Sequence, residues 1–414
     1  MTKDFDHIVI GAGISGLGAA HFAARRGLRT LVLESAPRVG GCINTQRFPS
    51  LHGFWTEAGS HTCFNSYGNL LDIMDDLGLT AQAQAKTKVG YRLWQGGQRR
   101  PVMSALHIAE AAVSLPRLFT TRKQGARVAD YYGRVLGRRN YRALLRHAFQ
   151  AVICQPADDY PAEALFRRKP RRKDVIKAFT FAEGLSAIPA AIAGQDRLQV
   201  RTGQTITAVV PDQGGFRVVA EGGGEVSCDY LTLAVPPDAA ARLLPDGFET
   251  ARAALKAIGM AEIETLTLAF HTTDLDLPAL AGLIAVDEQF YSAVSRDFLP
   301  DPNHRGFAFH FRPGVLCRDD QVAVACRALG IDPGRIAGQA QVHNRLPALR
   351  AGHAAVVGQL DGALAGSRLG LTGNWFLGVS IEDALTRSRS ETDRLFGAET
   401  RRSKRNGRST TEHS

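Results

Sequence analysis

Asp6-His7-Ile8-Val9-Ile10-Gly11-Ala12-Gly13-Ile14-Ser15-Gly16 opens the chain with an apolar run, a glycine turn and the start of a helical pattern. Reading outward gives a strand Asp6–Ile10, a helix Ser15–Arg26, a second strand Arg29–Leu33 and then an acid, Glu34. That order gives a G-x-G-x-x-G string its meaning, because the turn must join a strand to a helix. Gly11 permits the tight turn. Gly13 has no side chain, so a diphosphate can approach the backbone, and Gly16 lets the helix pack close to the strand. Free amides at the helix start face that diphosphate, assisted by the helix dipole. Glu34 is placed to accept hydrogen bonds from ribose hydroxyls, and its charge repels a 2′-phosphate, which disfavours NADP.

At 414 residues the chain is long enough for two domains, and 44% hydrophobic with 22% charged residues is ordinary globular composition. Met1–Lys3 is too short for a signal peptide, and no run reaches the roughly 18 apolar residues of a membrane span. Cys42, Cys63, Cys154, Cys228, Cys317 and Cys326 show neither C-x-x-C nor metal-ligand spacing. They read as reduced thiols of a cytoplasmic protein, and no metal is expected. The net charge of +10 is concentrated in Arg167–Lys173 and in Arg401–Arg405, the latter within a polar tail, 397–414, that reads as disordered. A basic surface suits an anionic lipid headgroup or a polycarboxylate substrate. The chain lacks a nucleic-acid motif and a basic stripe interleaved with aromatics, so nucleic acid is not expected as a partner.

Past the opening unit, Val89–Trp94 and Arg99–Val102 read as a hairpin about Gln95-Gly96-Gly97. Residues 104–155 carry helical spacing. Leu198–Thr202, Thr205–Pro211, Gly215–Glu221 and Val226–Ala234 read as strands. Glu262–His271, Gly282–Asp287, Gly306–Phe311 and Arg335–His343 suggest a second, largely antiparallel sheet. Strand Leu369–Thr372, loop Gly373–Val379 and helix Ile381–Leu395 close the chain. The expected fold class is α/β, a discontinuous Rossmann-like FAD-binding domain with an inserted α+β substrate domain. The first comprises 1–85, 186–255 and 345–396. The second comprises 86–185 and 256–344, with its helical part at about 104–155.

Gly40-Gly41, six residues past Glu34, is more than a simple NAD unit needs. In a two-domain flavoprotein it brings backbone against the ribityl diphosphate, with Arg38 nearby to offer charge-assisted bonds. Glu57-Ala58-Gly59-Ser60-His61-Thr62 is a small-residue loop that lets a ring approach the backbone. At the other end, Gly373-Asn374 ends a strand, and Ser380 with Asp383 forms a capping box. A helix start aimed at a flavin stabilises the negative charge that grows there on reduction.

With these segments together the chain resembles the flavin-containing amine oxidase and protoporphyrinogen oxidase superfamily, the protoporphyrinogen oxidase branch in particular. GAGISGLGAA…LVLESAPRVGG resembles the whole superfamily. Three further segments are similar to the narrower branch: Val128–Gly137 with Ala151–Leu165, Phe179–Leu185, and Arg345–His353 leading into Leu371–Asp383. The resemblance implies FAD contacts at Gly11, Gly13, Ser15, Gly16, Glu34, Gly41 and Gly59, a strand contact at Ile206-Thr207-Ala208, and flavin contacts at Gly373, Asn374, Val379, Ser380 and Ile381. Gly40, Arg38 and Ser60 complete the expected set. It implies an oxidase in which a porphyrinogen carbon yields hydride to flavin N5 and molecular oxygen then takes the electrons. The substrate is thus a tetrapyrrole or another hydrophobic small molecule. It also implies a peripheral contact with the inner face of a membrane through the helical part. After Gly41 the chain has Cys42-Ile43-Asn44-Thr45, and Ser60-His61-Thr62 stands where a proline turn is usual; both departures lie on the substrate side.

Two side chains are candidates for roles at the substrate. His61 either tunes the flavin or relays a proton, or is a loop histidine bonded to backbone. Trp375 either walls the substrate cavity or packs in the core. His353 lines the entrance or simply starts a helix. One of Arg92, Arg99 and Arg100 could hold a carboxylate. Met103–Phe119, an amphipathic stretch, is expected to pack over the substrate cavity, with lipid contact as the other reading. The alternatives to a porphyrinogen oxidase are an amine or amino-acid oxidase, a desaturase-like oxidase of a secondary metabolite, and, outside enzymes, an escort or dissociation-inhibitor-like binding protein.

Overall fold

The computed structural model describes residues 3–397. Beyond Gly397 the tail expected at 397–414, with Arg401–Arg405, lies outside the described residues. Strand Phe5–Ile10 occupies the middle of a seven-stranded sheet. It runs parallel to Thr30–Leu33, with His7 opposite Thr30, and parallel to Glu225–Leu233, with Phe5 opposite Cys228. Leu198–Arg201 adds a parallel strand outside Thr30–Leu33, and Leu369–Leu371 pairs with the end of Glu225–Leu233. Gly215–Ala220 and Ile206–Asp212 complete the sheet as an antiparallel meander.

Alternate side chains of the central strands leave on opposite faces. Ile8, Ile10, Leu31 and Leu33 enter one buried cluster, and Val9 and Val32 enter another. Both faces are therefore covered, as parallel strands require. Helices Ile14–Arg25 and Ile381–Phe396 lie on the second face, through Leu17, Phe22 and Leu385. On the first face lie Pro237–Leu243, Glu249–Lys256 and His353–Leu364, together with Val128, Tyr131, Phe149 and Ile153 of the middle helical segment.

The second sheet also has seven strands, ordered Ile336–Ala348, Gly259–His271, His304–Phe311, Phe290–Ser295, Gly282–Ala285, Tyr91–Gln95 and Gln98–Pro101. Its two long strands pair from Gly259 opposite Ala348 to Phe270 opposite Ile336. Phe270, Phe290, Phe307, Phe309 and Phe311 fill its core beneath helix Arg318–Leu329. Ile336–Ala348 runs past residue 345, so Arg345–Ala348 belong to this sheet rather than to the nucleotide-binding half. It is an edge strand, where Pro347 needs no donor.

The stretch Met103–Phe119 departs from the expectation of one helix packed over a cavity. It breaks into a short turn Val102–Ala105, a helix Ile108–Ser114 and, at Pro116, a tight turn Leu115–Phe119. It docks by its polar side. Arg139 and Asn140 N–H donate to Glu110 (3.0 and 2.9 Å), His107 N–H donates to Asn140 Oδ1 (2.7 Å), and Ser114 is buried. Its apolar residues consequently face outward, with Ile108 72%, Val113 75% and Phe119 90% exposed.

Candidate flavin site

The glycine turn, the Gly40-Gly41 loop, the end of the meander and the start of the last helix enclose a cleft of about 400 Å³. Gly11 adopts φ +103°, and a Cβ there would lie 2.6 Å from Ala234 O. A Cβ on Gly16 would lie 1.9 Å from Gly11 O, so strand and helix meet at a distance only glycine allows. At Gly13 a Cβ would meet nothing within 4 Å, because it would point into the cleft. Gly13 is bridged to Gly40 in parallel, and Gly40 N–H donates to Ala12 O (2.8 Å). The turn and the second glycine pair thus form one backbone floor.

Glu34 stands over this floor. Ala12 N–H donates to its Oε2 (2.7 Å) and Ala36 N–H to its Oε1 (2.9 Å). Ser35 Oγ also donates to Oε1 (3.3 Å), and Oε2 keeps a lone pair for a ribose hydroxyl. Gly11, Gly13, Ser15, Glu34, Gly40, Gly41 and Ser60 line the cleft from the N-terminal side. Gly373, Asn374, Trp375, Val379, Ser380 and Ile381 line it from the C-terminal side.

Several candidates take other places. Arg38 turns back on its own loop, its guanidinium donating to Gly41 O (2.9 Å), Val39 O (3.2 Å) and Ile43 O (3.3 Å), and it does not line the cleft. Thr207 sits at a bulge between Ile206 and Ala208 that turns it outward, where its hydroxyl donates to Val219 O (3.2 Å); Ile206 lines the cleft instead. Gly16 and Gly59 act beneath the surface. A Cβ on Gly59 would lie 2.0 Å from Cys42 O, so this glycine lets two chain segments touch. Trp375 is only 1% exposed, with its indole N–H donating to Val235 O (3.2 Å) and its ring stacked on Phe376. It is a packed wall of the cleft and offers no open face to a substrate. His353 starts a helix, its Nε2 lies 2.6 Å from Trp375 O, and it does not line the cleft.

His61 is one residue beyond Ser60 and does not line the cleft itself. Burial, then the nearby Lys86 ammonium and His310, push its pKa down to about 3, so the ring is neutral. Around it lies a polar cluster with no local signature in sequence. Lys86 Nζ donates to His61 O (3.0 Å) and Thr62 Oγ1 and stands 3.6 Å from the centre of the Phe298 ring. Burial lowers its pKa to about 8. Glu57, buried, accepts from Leu185 N–H (2.7 Å) and Thr45 Oγ1 (3.0 Å), and burial raises its pKa to about 7. Asn344 Nδ2 donates to Ala58 O (2.9 Å) and to Thr265 Oγ1 (3.2 Å), and the latter lies 3.0 Å from His310 Nδ1. This chain of bonds ties the second sheet to the loop beside the cleft. Among the described residues, no group of His, Cys, Asp and Glu is placed to hold a metal.

The residues present fit FAD. The floor admits a diphosphate at Gly13, Glu34 retains acceptor capacity for a ribose, and the cleft continues to the amide-bearing start of helix Ile381–Phe396. A dinucleotide-binding half joined through one cleft to a mostly antiparallel sheet defines the class, a two-domain flavoprotein. Comparison with known proteins agrees. The "NAD(P)-binding Rossmann-like domain" pattern matches residues 9–77, and "Flavin containing amine oxidoreductase" matches residues 122–306. Residues 122–306 are thus similar to the flavin-containing amine oxidoreductases. The 15-cis-phytoene desaturase of Narcissus pseudonarcissus is 33% identical over 84 residues, 20% of this chain but only 14% of that protein's length. Among solved structures, a protein assigned as a protoporphyrinogen oxidase from Exiguobacterium sp. 255-15 superposes with a TM-score of 0.73 at 17% identity, covering 95% of this chain and 99% of the other. A redesigned putrescine oxidase superposes with a TM-score of 0.69 at 15% identity, covering 94% and 98%. At such identities the likeness is one of fold.

Proposed function

We propose that the chain is an FAD-dependent oxidase acting on a porphyrinogen-like tetrapyrrole, with oxygen as the final acceptor. FAD, when bound, supplies the hydride acceptor. The chain's own residues bind and orient it: Gly11, Gly13 and Gly40-Gly41 at the diphosphate, Glu34 at the ribose, and the start of helix Ile381–Phe396 at the end that gains charge. The observation that carries the substrate class is the charge beside Ser60. Lys86 is desolvated, with the buried Glu57 carboxyl close enough to act on it, and the two neighbouring histidines are held neutral. A protonated amine entering this region meets the Lys86 ammonium beside Glu57, which its raised pKa of about 7 leaves partly neutral, whereas a hydrophobic substrate carrying carboxylates is drawn toward the lysine. This favours the tetrapyrrole over the amine or amino-acid oxidase reading. The phytoene desaturase match keeps a polyene substrate as the second candidate.

The substrate test uses FAD-loaded full-length chain in air. Porphyrin fluorescence appearing from a porphyrinogen well above the enzyme-free rate supports the reading. Peroxide formed with putrescine or benzylamine, and none with porphyrinogen, overturns it.

The outward apolar row completes the proposal. Met103, Ile108, Val113, Leu115, Leu118 and Phe119 are exposed beside exposed Arg117 and Arg122. Lys123 donates to Leu165 O and Phe166 O, which brings exposed Phe166, Arg167 and Arg168 alongside. Apolar residues amid arginines match an anionic lipid surface, where each basic residue contributes about 1 kcal/mol. No helix among the described residues is long and apolar enough to cross a membrane, so the contact is peripheral. Sedimentation with phosphatidylglycerol vesicles, lost in an Ile108→Glu/Val113→Glu variant and absent with phosphatidylcholine, is the expected result; equal sedimentation of wild type and variant refutes it.

A further inference from the structure

The basic run Arg167–Lys173 is not a uniform charged surface. Arg167 Nε donates to Glu163 O (3.0 Å), and Arg172 pairs with Asp75 (2.5 Å) and Asp174 (2.6 Å). Lys169 reaches inward. Its Nζ lies 2.8 Å from Asp383 Oδ1, 3.1 Å from Ser380 Oγ and 5.5 Å from the centre of the Tyr67 ring. Asp383 is buried in the first turn of helix Ile381–Phe396, and Ser380 caps that helix by accepting from Asp383 N–H (3.1 Å) while its hydroxyl donates to the Asp383 carboxylate. Ser380 and Ile381 line the cleft, so this cluster stands directly behind the cleft wall.

The electrostatics of this arrangement depend on the lysine. A helix start carries the equivalent of about half a positive charge, which favours an anion in front of it. Two acids are buried in that first turn: Glu382 accepts from Asn69 N–H (2.9 Å) and Leu70 N–H (3.2 Å) and burial raises its pKa, whereas Asp383 faces Lys169, and its carboxylate cancels the helix charge and more. The ammonium of Lys169 cancels the carboxylate in turn. We propose that Lys169 is a charge-balancing, positioning residue of the flavin site: paired with Asp383, it keeps the helix start electropositive toward the cleft and thereby favours reduced flavin, whose ring bears negative charge. The inference rests on the flavin reading of the cleft. It also assigns the loop around Lys169 a task, that of a clasp linking the substrate half to the cofactor half at the point where charge accumulates.

The experiment equilibrates FAD-loaded full-length protein with an indicator dye under slow reduction and reads the ratio of reduced to oxidised flavin at a fixed dye potential. In Lys169→Met the ratio falls by at least about tenfold, in Lys169→Arg it stays near wild type, and in Asp383→Asn it rises. The Lys169→Met/Asp383→Asn double variant returns toward wild type, a compensation that a purely structural role of either residue does not produce. Where Lys169→Met fails to hold flavin, Asp383→Asn and the double variant supply the same comparison. Loaded variants whose ratios all stay within about twofold of wild type overturn this inference alone. A wild-type chain that takes up no FAD overturns the flavin reading and this inference with it.

Discussion

Gly13→Ala separates what the protein needs from what its cofactor needs. Gly13 has φ −68°, which alanine adopts freely, and a Cβ there meets no protein atom within 4 Å. The loss of a good N-cap residue, about 0.5 kcal/mol or somewhat more, is offset by the lower entropy of the unfolded alanine chain. The apo protein is therefore expected to keep its stability within about 0.5 kcal/mol. The methyl group would nonetheless stand in the cleft between the turn and Gly41, at the place proposed for the diphosphate. An extra methyl in a close-packed contact costs about 1–3 kcal/mol, which weakens FAD binding by roughly 5- to 150-fold. Gly16→Ala provides the contrast. Its Cβ would lie 1.9 Å from the backbone oxygen of Gly11, so the helix must retreat and the apo protein itself loses about 3 kcal/mol or more. Urea midpoints of the apo proteins and FAD titration followed by flavin fluorescence give both quantities. A Gly13→Ala protein that binds FAD as tightly as wild type would refute the placement of the diphosphate over this turn.

Glu57 makes stability depend on pH. Its folded pKa, raised by burial from 4.5 to about 7, means that the native state holds a proton that the unfolded state has released across this interval. Stability from this group is therefore full below about pH 4.5 and falls by up to about 3 kcal/mol as pH rises through 7. Urea midpoints against pH are expected to show that slope in wild type and to lose it in Glu57→Gln; an identical slope in both discounts the raised pKa. Asn344→Ala removes the donors to Ala58 O and Thr265 Oγ1 and is expected to cost about 1–3 kcal/mol by thermal or chemical melting. It should also weaken FAD binding, because the loop beside the cleft loses its tie to the second sheet, and unchanged stability and affinity would show that the tie is idle.

The features legible in the sequence are those whose cause is local. The turn Gly11–Gly16, the acid Glu34 and the Ser380–Asp383 box each lie within one element or its immediate flank, so spacing alone locates them. What escaped depends on partners distant in sequence. Strand Phe290–Ser295 is buried on both faces, so Ser292 and Ser295 break the alternation that marks a half-exposed strand. Helix Arg318–Leu329 carries only a weak apolar stripe, because a few small residues suffice to seat it on the phenylalanine-rich sheet. The outward turn of Ile108 and Val113 is decided by Asn140, some thirty positions away, which bonds the backbone of the opposite side. Likewise Thr207 is displaced by a bulge that no residue of its strand announces, and Thr265 meets both His310 and Asn344 only because three strands stand side by side. Glu57 was in view next to Gly59, but its partners Thr45 and Leu185 come from separate segments.

The cleft draws its walls from Ile10 in the first described strand to Ala384 in helix Ile381–Phe396, with Pro236 and Arg345 between. The cavity exists only once segments far apart in sequence have folded together, so cofactor capture follows folding and yellow colour reports an assembled cleft. A protein truncated before helix Ile381–Phe396 would retain its glycine signature intact and remain colourless.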